Sequence, residues 1–526
     1  MNRTSHWPAT FAPALHAALM RRIPAKSDAV ELEQLSRELV EALERGELDL
    51  PLNPERWAAA CDSGWLEGES APLLLQGERI GWRRWLEAMD AVVQALLERS
   101  SASTKLDTPV DSVALTLPDS LNNEQRAAVL ALDVSPVVLL SGGPGTGKTS
   151  TVVEMLRRAA ARHPDLRIGL AAPTGKAARR LGDTVRPQLE GISCLTLHRW
   201  LEAGRDGFRR NRQRPLELDL LVIDEMSMVD LVLMQGLLDA MPPDCRLVMV
   251  GDPAQLPPVG SGAVWHRLQQ SSIRECFGDG AIHLQRTYRN RGALAELAMV
   301  LRDRGQEDFR RCLEDLPSDA NVQHHRCSGR RLPKLVRDRW KQRHQRLAAL
   351  ADGLDACSED ALAAAAAPLL AELERELVLC PRRRGSWSLE DVHRNLLGAA
   401  ARLDPMLWPA GVPVICGGNQ PELGLANGDL GVKIGEGERG RLLFRVLSEN
   451  GRPQIQRLHP ARLVVLEPAA ALTIHRAQGS EADAVMVLWP QQQDDQHDSQ
   501  SYDVSLLYTA MTRARVSLEL ITAEPA

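Results

Sequence analysis

Short, fully apolar runs alternate with stretches of three- and four-residue apolar spacing through the middle of the chain. Residues 137–140 (VVLL) are one such run, and residues 150–161 after it carry helical spacing. Residues 168–181 (IGLAAPTGKAARRL) repeat the unit: an apolar strand passes into a basic helix with Arg179 and Arg180. Residues 220–230 (LLVIDEMSMVD) and 246–262 (RLVMVGDPAQLPPVGSG) add two more strands, each ending in polar residues. Strands that alternate with helices predict an α/β fold, with a parallel sheet and a ligand at the carboxyl ends of its strands.

The flanks read differently. Residues 29–45 place Leu32, Leu35, Leu39 and Leu43 on one helical face. Residues 80–98 repeat the style with Trp82, Trp85, Met89, Val92, Val93 and Leu96, so a helical N-terminal domain is expected over 1–110. Residues 100–110 (SSASTKLDTPV) are polar and contain a proline, which predicts a linker. Residues 296–376 read as helical throughout, including the alanine run at 363–367. Residues 377–381 (LVLCP) open another α/β unit, to which 471–488 and 505–520 return. Between them, 412–466 hold short glycine-punctuated strands that predict a small β-barrel insertion. Residues 491–503 (QQQDDQHDSQSYD) are polar and acidic and predict a mobile loop.

Composition narrows the possibilities. A chain of 526 residues has room for about three or four domains. With 44% hydrophobic and 25% charged residues it is ordinary globular material. The net charge of −6 disfavours a protein that coats nucleic acid, so any DNA contact must be a local channel. The nine cysteines are odd in number and form no C-x-x-C pair, which argues for a reducing compartment and against a zinc ribbon. No run of about 18 apolar residues and no secretory h-region occur, so a cytoplasmic location is expected.

The strand at 137–140 leads into Gly142, Gly143, Pro144, Gly145, Thr146, Gly147, Lys148, Thr149 and Ser150, a phosphate-binding loop at a strand-to-helix junction. Its glycines let several N–H groups point inward at phosphate oxygens. Lys148 can reach the β- and γ-phosphates of ATP, and the Thr149 hydroxyl can ligand Mg²⁺. Asp224 and Glu225 end a buried strand about 75 residues on. Asp224 is placed to hold Mg²⁺ through water and Glu225 to orient or deprotonate the attacking water. Gln255, just past the next strand, is a candidate γ-phosphate sensor. Gln125, upstream, can donate to and accept from an adenine edge. Tyr288 can stack on a purine, and Arg289 can neutralise transferring phosphate charge. The arginine-rich run at 204–215, including Arg205, leaves two readings open: a solvated loop, or a hairpin touching a phosphate backbone.

In order, the chain shows LNNEQRAAV, GGPGTGKTST, AAPTGKAARR, TLHRWL, LLVIDEMSMVD, VGDPAQLPPVGSG, LQRTYRN, LTIHRAQGSEAD and YTAMTRAR. Together these resemble the ordered motifs of a superfamily 1 DNA helicase over about residues 115–520. The wording IDEMSMVD, GLANGDLGV and IHRAQGSE is similar to the RecD branch (superfamily 1B) rather than the UvrD/Rep branch.

The resemblance implies two RecA-like lobes, over 111–292 and 293–526, with an SH3-like insertion at about 410–467 in the second. It implies that Gln125 and Tyr288 hold adenine, and that Gly145, Gly147, Lys148 and Thr149 hold the phosphates and Mg²⁺. Asp224 and Glu225 would be the metal-linked and catalytic carboxylates, and Gln255 would couple the γ-phosphate to movement. Arg289 and Arg513 would be arginine fingers, and Gly479 and Glu481 would contact both nucleotide and DNA. Pro173, Thr174, Lys176, Thr196, His198, Thr473 and His475 match strand-contacting positions. Movement 5′ to 3′ on single-stranded DNA is implied as well, in a heterotrimer with RecB- and RecC-like subunits. The first 110 residues fit the subunit type, since no helix-hairpin-helix repeats of the stand-alone RecD-like helicases are found, nor is any RecB-type nuclease signature. Two alternatives stand beside this reading: a stand-alone 5′–3′ helicase or DNA-stimulated ATPase, and a nucleotide-gated switch that does not translocate.

Overall fold

The computed structural model describes residues 10–25, 30–102, 117–189, 191–204, 206–288, 292–317, 320–329, 331–398, 404–448, 452–490 and 500–524. The N-terminal part packs helices Phe11–Arg22, Val30–Glu44 and Pro54–Ser63 against a three-stranded antiparallel sheet. Leu32, Leu35, Leu39, Trp65 and Ile80 form its core. The sheet differs from the helical expectation at its last strand. Residues 80–82 belong to strand Arg79–Trp82, which pairs with Leu73–Gln76 through a two-residue turn led by Gly77 at φ +59°. Gly81 is also pressed against the backbone, with a Cβ there 2.4 Å from the Leu48 carbonyl oxygen.

Helix Arg83–Ser100 follows, and its apolar face turns away from this domain. Met89, Val92, Val93 and Leu96 share a core with Leu233, Met234 and Leu237 of helix Leu231–Ala240. Arg99 Nη1 donates to the carbonyls of Pro242, Pro243 and Cys245 at 2.7–3.2 Å. This helix is therefore fastened to the first lobe. Most of the expected linker, residues 103–110, lies outside the described residues.

The first lobe is a six-stranded parallel sheet in the order Ala281–Leu284, Val137–Gly142, Arg246–Gly251, Leu220–Ile223, Ile168–Ala172, Ser193–Thr196. The four inner strands read as near-continuous apolar runs because helices cover both faces. The register sets the ends of Val137–Gly142, Leu220–Ile223, Ile168–Ala172 and Arg246–Gly251 along one edge.

The second lobe is a five-stranded parallel sheet in the order Val322–Ser328, Ala514–Glu524, Ala482–Trp489, Glu376–Cys380, Leu472–Thr473. Strand Val322–Ser328 corrects the all-helical expectation for 296–376. Its sequence, VQHHRCS, is polar because it is an edge strand, and it is a strand only through pairing with Ala514–Glu524. The insertion is a five-stranded antiparallel sheet, Pro453–Leu458, Arg441–Leu447, Leu430–Ile434, Pro413–Cys416, Leu466–Pro468, around Trp408, Val414, Leu442 and Phe444. It leans on the first lobe, where Arg179 donates to the Arg445 carbonyl (2.9 Å) and Arg199 to the Leu447 carbonyl (2.9 Å). Of the expected acidic loop, residues 491–499 lie outside the described residues, and 500–503 begin helix Gln500–Met511.

Among the described residues no helix is long and apolar enough to cross a membrane. None of the nine cysteines is in a disulfide, and among the described residues no group of three or more His, Cys, Asp or Glu side chains is arranged to hold a metal.

Candidate nucleotide and DNA site

The phosphate loop joins strand Val137–Gly142 to helix Lys148–Arg162. Gly145 and Gly147 have φ of +71° and +86°, a region where side chains are strained. A Cβ on Gly147 would stand 2.4 Å from Gln125 Nε2, so the loop is built for glycine. Lys148 Nζ donates to the carbonyls of Gly142 (2.7 Å) and Gly143 (2.9 Å), and Thr146 Oγ1 to that of Gly143 (2.9 Å). The ammonium thus sits over the loop, where a phosphate would replace the carbonyls.

Gln125 is buried in a capping box at the start of helix Asn123–Val134. Its Oε1 accepts from the Asn122 N–H (3.1 Å), and its Nε2 donates to the Thr146 carbonyl (3.2 Å). One N–H and one lone pair of the amide remain for a base edge. Tyr288 is pinned to the same loop, its N–H donating to the Gly145 carbonyl (2.8 Å), and the residue is 42% exposed. The Arg286 guanidinium lies 5.3 Å from the ring centroid. The structure therefore brings Gln125 and Tyr288 together on the phosphate loop. Arg289 lies outside the described residues.

Asp224 and Glu225 follow strand Leu220–Ile223, which is buried throughout. The Glu225 N–H donates to Asp224 Oδ1 (2.9 Å), and Glu225 takes φ +56°, a conformation that costs about 1–3 kcal/mol. Both carboxylates are buried. Burial, and then the charge of Glu225, push the Asp224 carboxyl above the usual range, with Arg180 and Lys148 opposing.

Arg180 is the group that motif reading missed. Its Nη2 donates to Glu225 Oε1 (2.8 Å) and lies 4.0 Å from Asp224 Oδ2. Its Nη1 lies 2.7 Å from Glu481 Oε1 of the second lobe, off the line of an N–H, so that contact is ionic rather than a directed hydrogen bond. Burial works against the guanidinium charge, but Glu481, Glu225 and Asp224 outweigh it and raise its pKa. The four-residue spacing from Lys176 puts both cations on one helix face and was a usable signal.

The loop after strand Arg246–Gly251 is held by the second lobe. Tyr508 Oη donates to Asp252 Oδ2 (3.0 Å), the Leu256 N–H donates to Thr509 Oγ1 (3.0 Å), and Gln478 Nε2 donates to the Leu256 carbonyl (3.2 Å). Gln255 stands between these anchors, buried, with its Oε1 unpartnered. Arg513 is buried too. Its nitrogens donate to Thr509 O (3.0 Å), Ser480 O (3.3 Å) and Thr512 Oγ1 (3.2 Å), all within the second lobe.

The strand-contacting candidates sit at the carboxyl ends of both sheets. Pro173 and Thr174 follow strand Ile168–Ala172, and Thr174 Oγ1 accepts from the Ala177 N–H (3.2 Å) as a helix cap. Lys176 Nζ donates to Ser480 Oγ (3.1 Å); burial, with Arg179 nearby, pulls its pKa down to about 8. Thr196 caps helix Leu197–Trp200, and Thr473 Oγ1 accepts from the Arg476 N–H (3.4 Å). Burial lowers the pKa of both His198 and His475, with Asp230 opposing at His198. They are suited to hydrogen bonding more than to charge pairing. Gly479, at φ +71°, lies so close to Thr174 that a Cβ would stand 2.7 Å from its Oγ1.

The arginine-rich run forms the two-stranded hairpin of Ala203–Gly204 and Gly207–Phe208. Arg210 and Arg214 pair with Glu202, and Arg212 with Asp239. Much of its charge is met within the fold, which favours the solvated-loop reading; Arg205 lies outside the described residues.

Residues 125–261 match the family model of an AAA domain, and residues 468–521 that of a UvrD-like helicase C-terminal domain. The RecBCD enzyme subunit RecD of Mycolicibacterium smegmatis is 32% identical over 503 residues, 90% of this chain and 84% of that protein. The RecBCD enzyme subunit RecD of Mycobacterium tuberculosis is 32% identical over 534 residues, 97% of this chain and 86% of that protein. The ATP-dependent RecD2 DNA helicase of Deinococcus radiodurans is 30% identical over 410 residues, 75% of this chain and 48% of that protein.

Proposed function

The chain belongs to the RecD family of superfamily 1 DNA helicases, and from that premise we propose that it is the 5′–3′ motor subunit of a RecBCD-type helicase–nuclease, driven by ATP with Mg²⁺. The observation that carries this reading is the meeting of two lobes over one phosphate loop. The first lobe supplies Lys148, Asp224 and Glu225, and the second reaches across through Glu481, Tyr508 and Thr509.

The donor set at the loop suits a hard cation. Thr149 offers a hydroxyl and Asp224 a carboxylate, and Mg²⁺ characteristically takes one or two protein oxygens, with phosphates and water supplying the rest. When bound, Mg²⁺ neutralises charge on the transferring phosphate. Lys148 exchanges its two carbonyls for phosphate oxygens, Glu225 accepts a proton from the attacking water, and Gln255 turns its amide N–H to the γ-phosphate, while its unpartnered Oε1 is left to accept from that water. Gln125 and Tyr288 orient the base. Arg289 and Arg513 act as fingers; Arg513 does so by leaving the carbonyls that hold it at rest.

Thr174, Lys176, Thr196 and His198 on one lobe, and Thr473 and His475 on the other, grip a single strand. Contacts of this kind read the backbone rather than the bases, so binding is salt-sensitive and without sequence preference. The N-terminal domain, which the sequence reading places over 1–110, docks on the RecC-like subunit, and nuclease activity belongs to the RecB-like one.

The test is strand displacement on 5′- and 3′-tailed duplexes by protein purified with its native partners. The expected result is unwinding from the 5′ tail that Lys148→Gln abolishes. Purification with no large partner subunits would instead favour a stand-alone helicase, and ATPase that does not rise with single-stranded DNA would favour a nucleotide-gated switch.

A further inference from the structure

Helix Gly175–Val185 runs along the second-lobe segment 479–481 and touches each of its residues in turn. Thr174, the helix cap, meets Gly479 so closely that no side chain fits there. Lys176 donates to Ser480 Oγ at 3.1 Å. Arg180, one turn on, lies 2.7 Å from Glu481. The first two first-lobe residues of this seam are strand-contacting candidates, while the third also holds Glu225.

We infer that Arg180 is a positioning residue that restrains Glu225 until a DNA strand engages the seam. In this arrangement its Nη2 occupies Glu225 Oε1, the atom that would accept a proton from water. A carboxylate oxygen already held by a guanidinium is not open to a water and is not free to turn toward the phosphate loop. Planar Arg180 spans Glu225 and Glu481 at once, so displacement of segment 479–481 pulls the guanidinium from one carboxylate to the other. A strand bound at Thr174 and Lys176 presses on that segment directly. Low ATP turnover without DNA, and its rise with DNA, then come from one ion-pair exchange.

The inference rests on the reading of Glu225 as the hydrolytic base. The test compares the full chain with Arg180→Ala and Arg180→Lys, measuring steady-state ATPase with and without an oligothymidylate strand. Arg180→Ala removes the cation beside carboxylates 224 and 225 and is vulnerable in folding; Arg180→Lys keeps the charge but has one nitrogen where the planar guanidinium sets two, one against Glu225 and one against Glu481, and it carries the test if the alanine variant is unstable. The expected result for either variant is a raised DNA-free rate and a fall of roughly tenfold in the stimulation ratio, the size of a typical coupling energy, with ATP KM little changed. A DNA-free rate that stays level or drops in the folded variants would overturn the inference and leave the helicase reading intact. A wild-type chain whose ATPase does not respond to the strand would sink both.

Discussion

Tyr508 of the second lobe donates its hydroxyl hydrogen to Asp252 of the first across 3.0 Å, and both side chains are buried. Burial, with Asp252 beside it, pushes the phenol well above its ordinary range, so the donor keeps its proton at any working pH. A hydrogen bond to a buried carboxylate contributes about 1.5–3 kcal/mol. Tyr508→Phe should lower the melting temperature by about 5 °C and reduce DNA-stimulated ATPase, because the Gln255 loop loses an anchor. Differential scanning fluorimetry beside a coupled ATPase assay checks both; an unchanged melting temperature counts against the bond.

Lys148 and Glu225 should separate binding from chemistry. Lys148→Gln is expected to weaken ATP binding and to lower kcat/KM by at least about 10²-fold, with circular dichroism unchanged. Glu225→Gln should retain nucleotide affinity while kcat drops by about 10²–10⁴-fold. Fluorescent-nucleotide titration with single-turnover hydrolysis distinguishes the two. Normal turnover in either variant removes the site assignment.

The N-terminal domain touches the same loop from the other side. The Gly262 N–H donates to the Gly46 carbonyl (3.1 Å), Ser261 Oγ to the Leu43 carbonyl (3.0 Å), and a Cβ on Gly46 would meet the Pro258 carbonyl oxygen at 2.9 Å. Gly46 also sits at φ +85°, where a side chain adds about 1–2 kcal/mol of strain. Gly46→Ala should therefore lower kcat severalfold although no catalytic group is altered. Retained kcat with a lower melting temperature would make the contact structural only.

His393 supplies a pH test. Burial holds its pKa down to about 4 from 6.5, so the folded chain keeps it neutral. A depressed histidine contributes stability that is complete above pH 6.5 and is lost as pH falls toward 4. The loss amounts to about 3 kcal/mol at most. Melting temperatures at pH 7 and pH 5 should differ more for the wild type than for His393→Gln. Equal differences would show that other groups govern acid stability.

The elements carrying the phosphate loop, Asp224, Glu225 and Gln255 were legible because each is local. A short apolar run that ends in glycines and polar residues reads as a buried strand passing into a turn. The same local logic failed at Val322–Ser328, whose polar sequence becomes a strand only by pairing with Ala514–Glu524. It failed also at residues 80–82, where helical spacing carried on from the following helix concealed a hairpin.

By itself the sequence determined the apolar strands around the nucleotide loop, the loop itself and the order of the motifs, since those depend on neighbours in the chain. Tertiary structure alone decided that Arg180 lies between Glu225 and Glu481, that Tyr508 bonds Asp252, and that Arg513 rests on its own lobe's carbonyls. Arg180 and Glu481 are far apart in the chain and meet only where two separately folded sheets bring their strand ends together. Charge pairing across such a cleft depends on lobe placement, which no local pattern encodes.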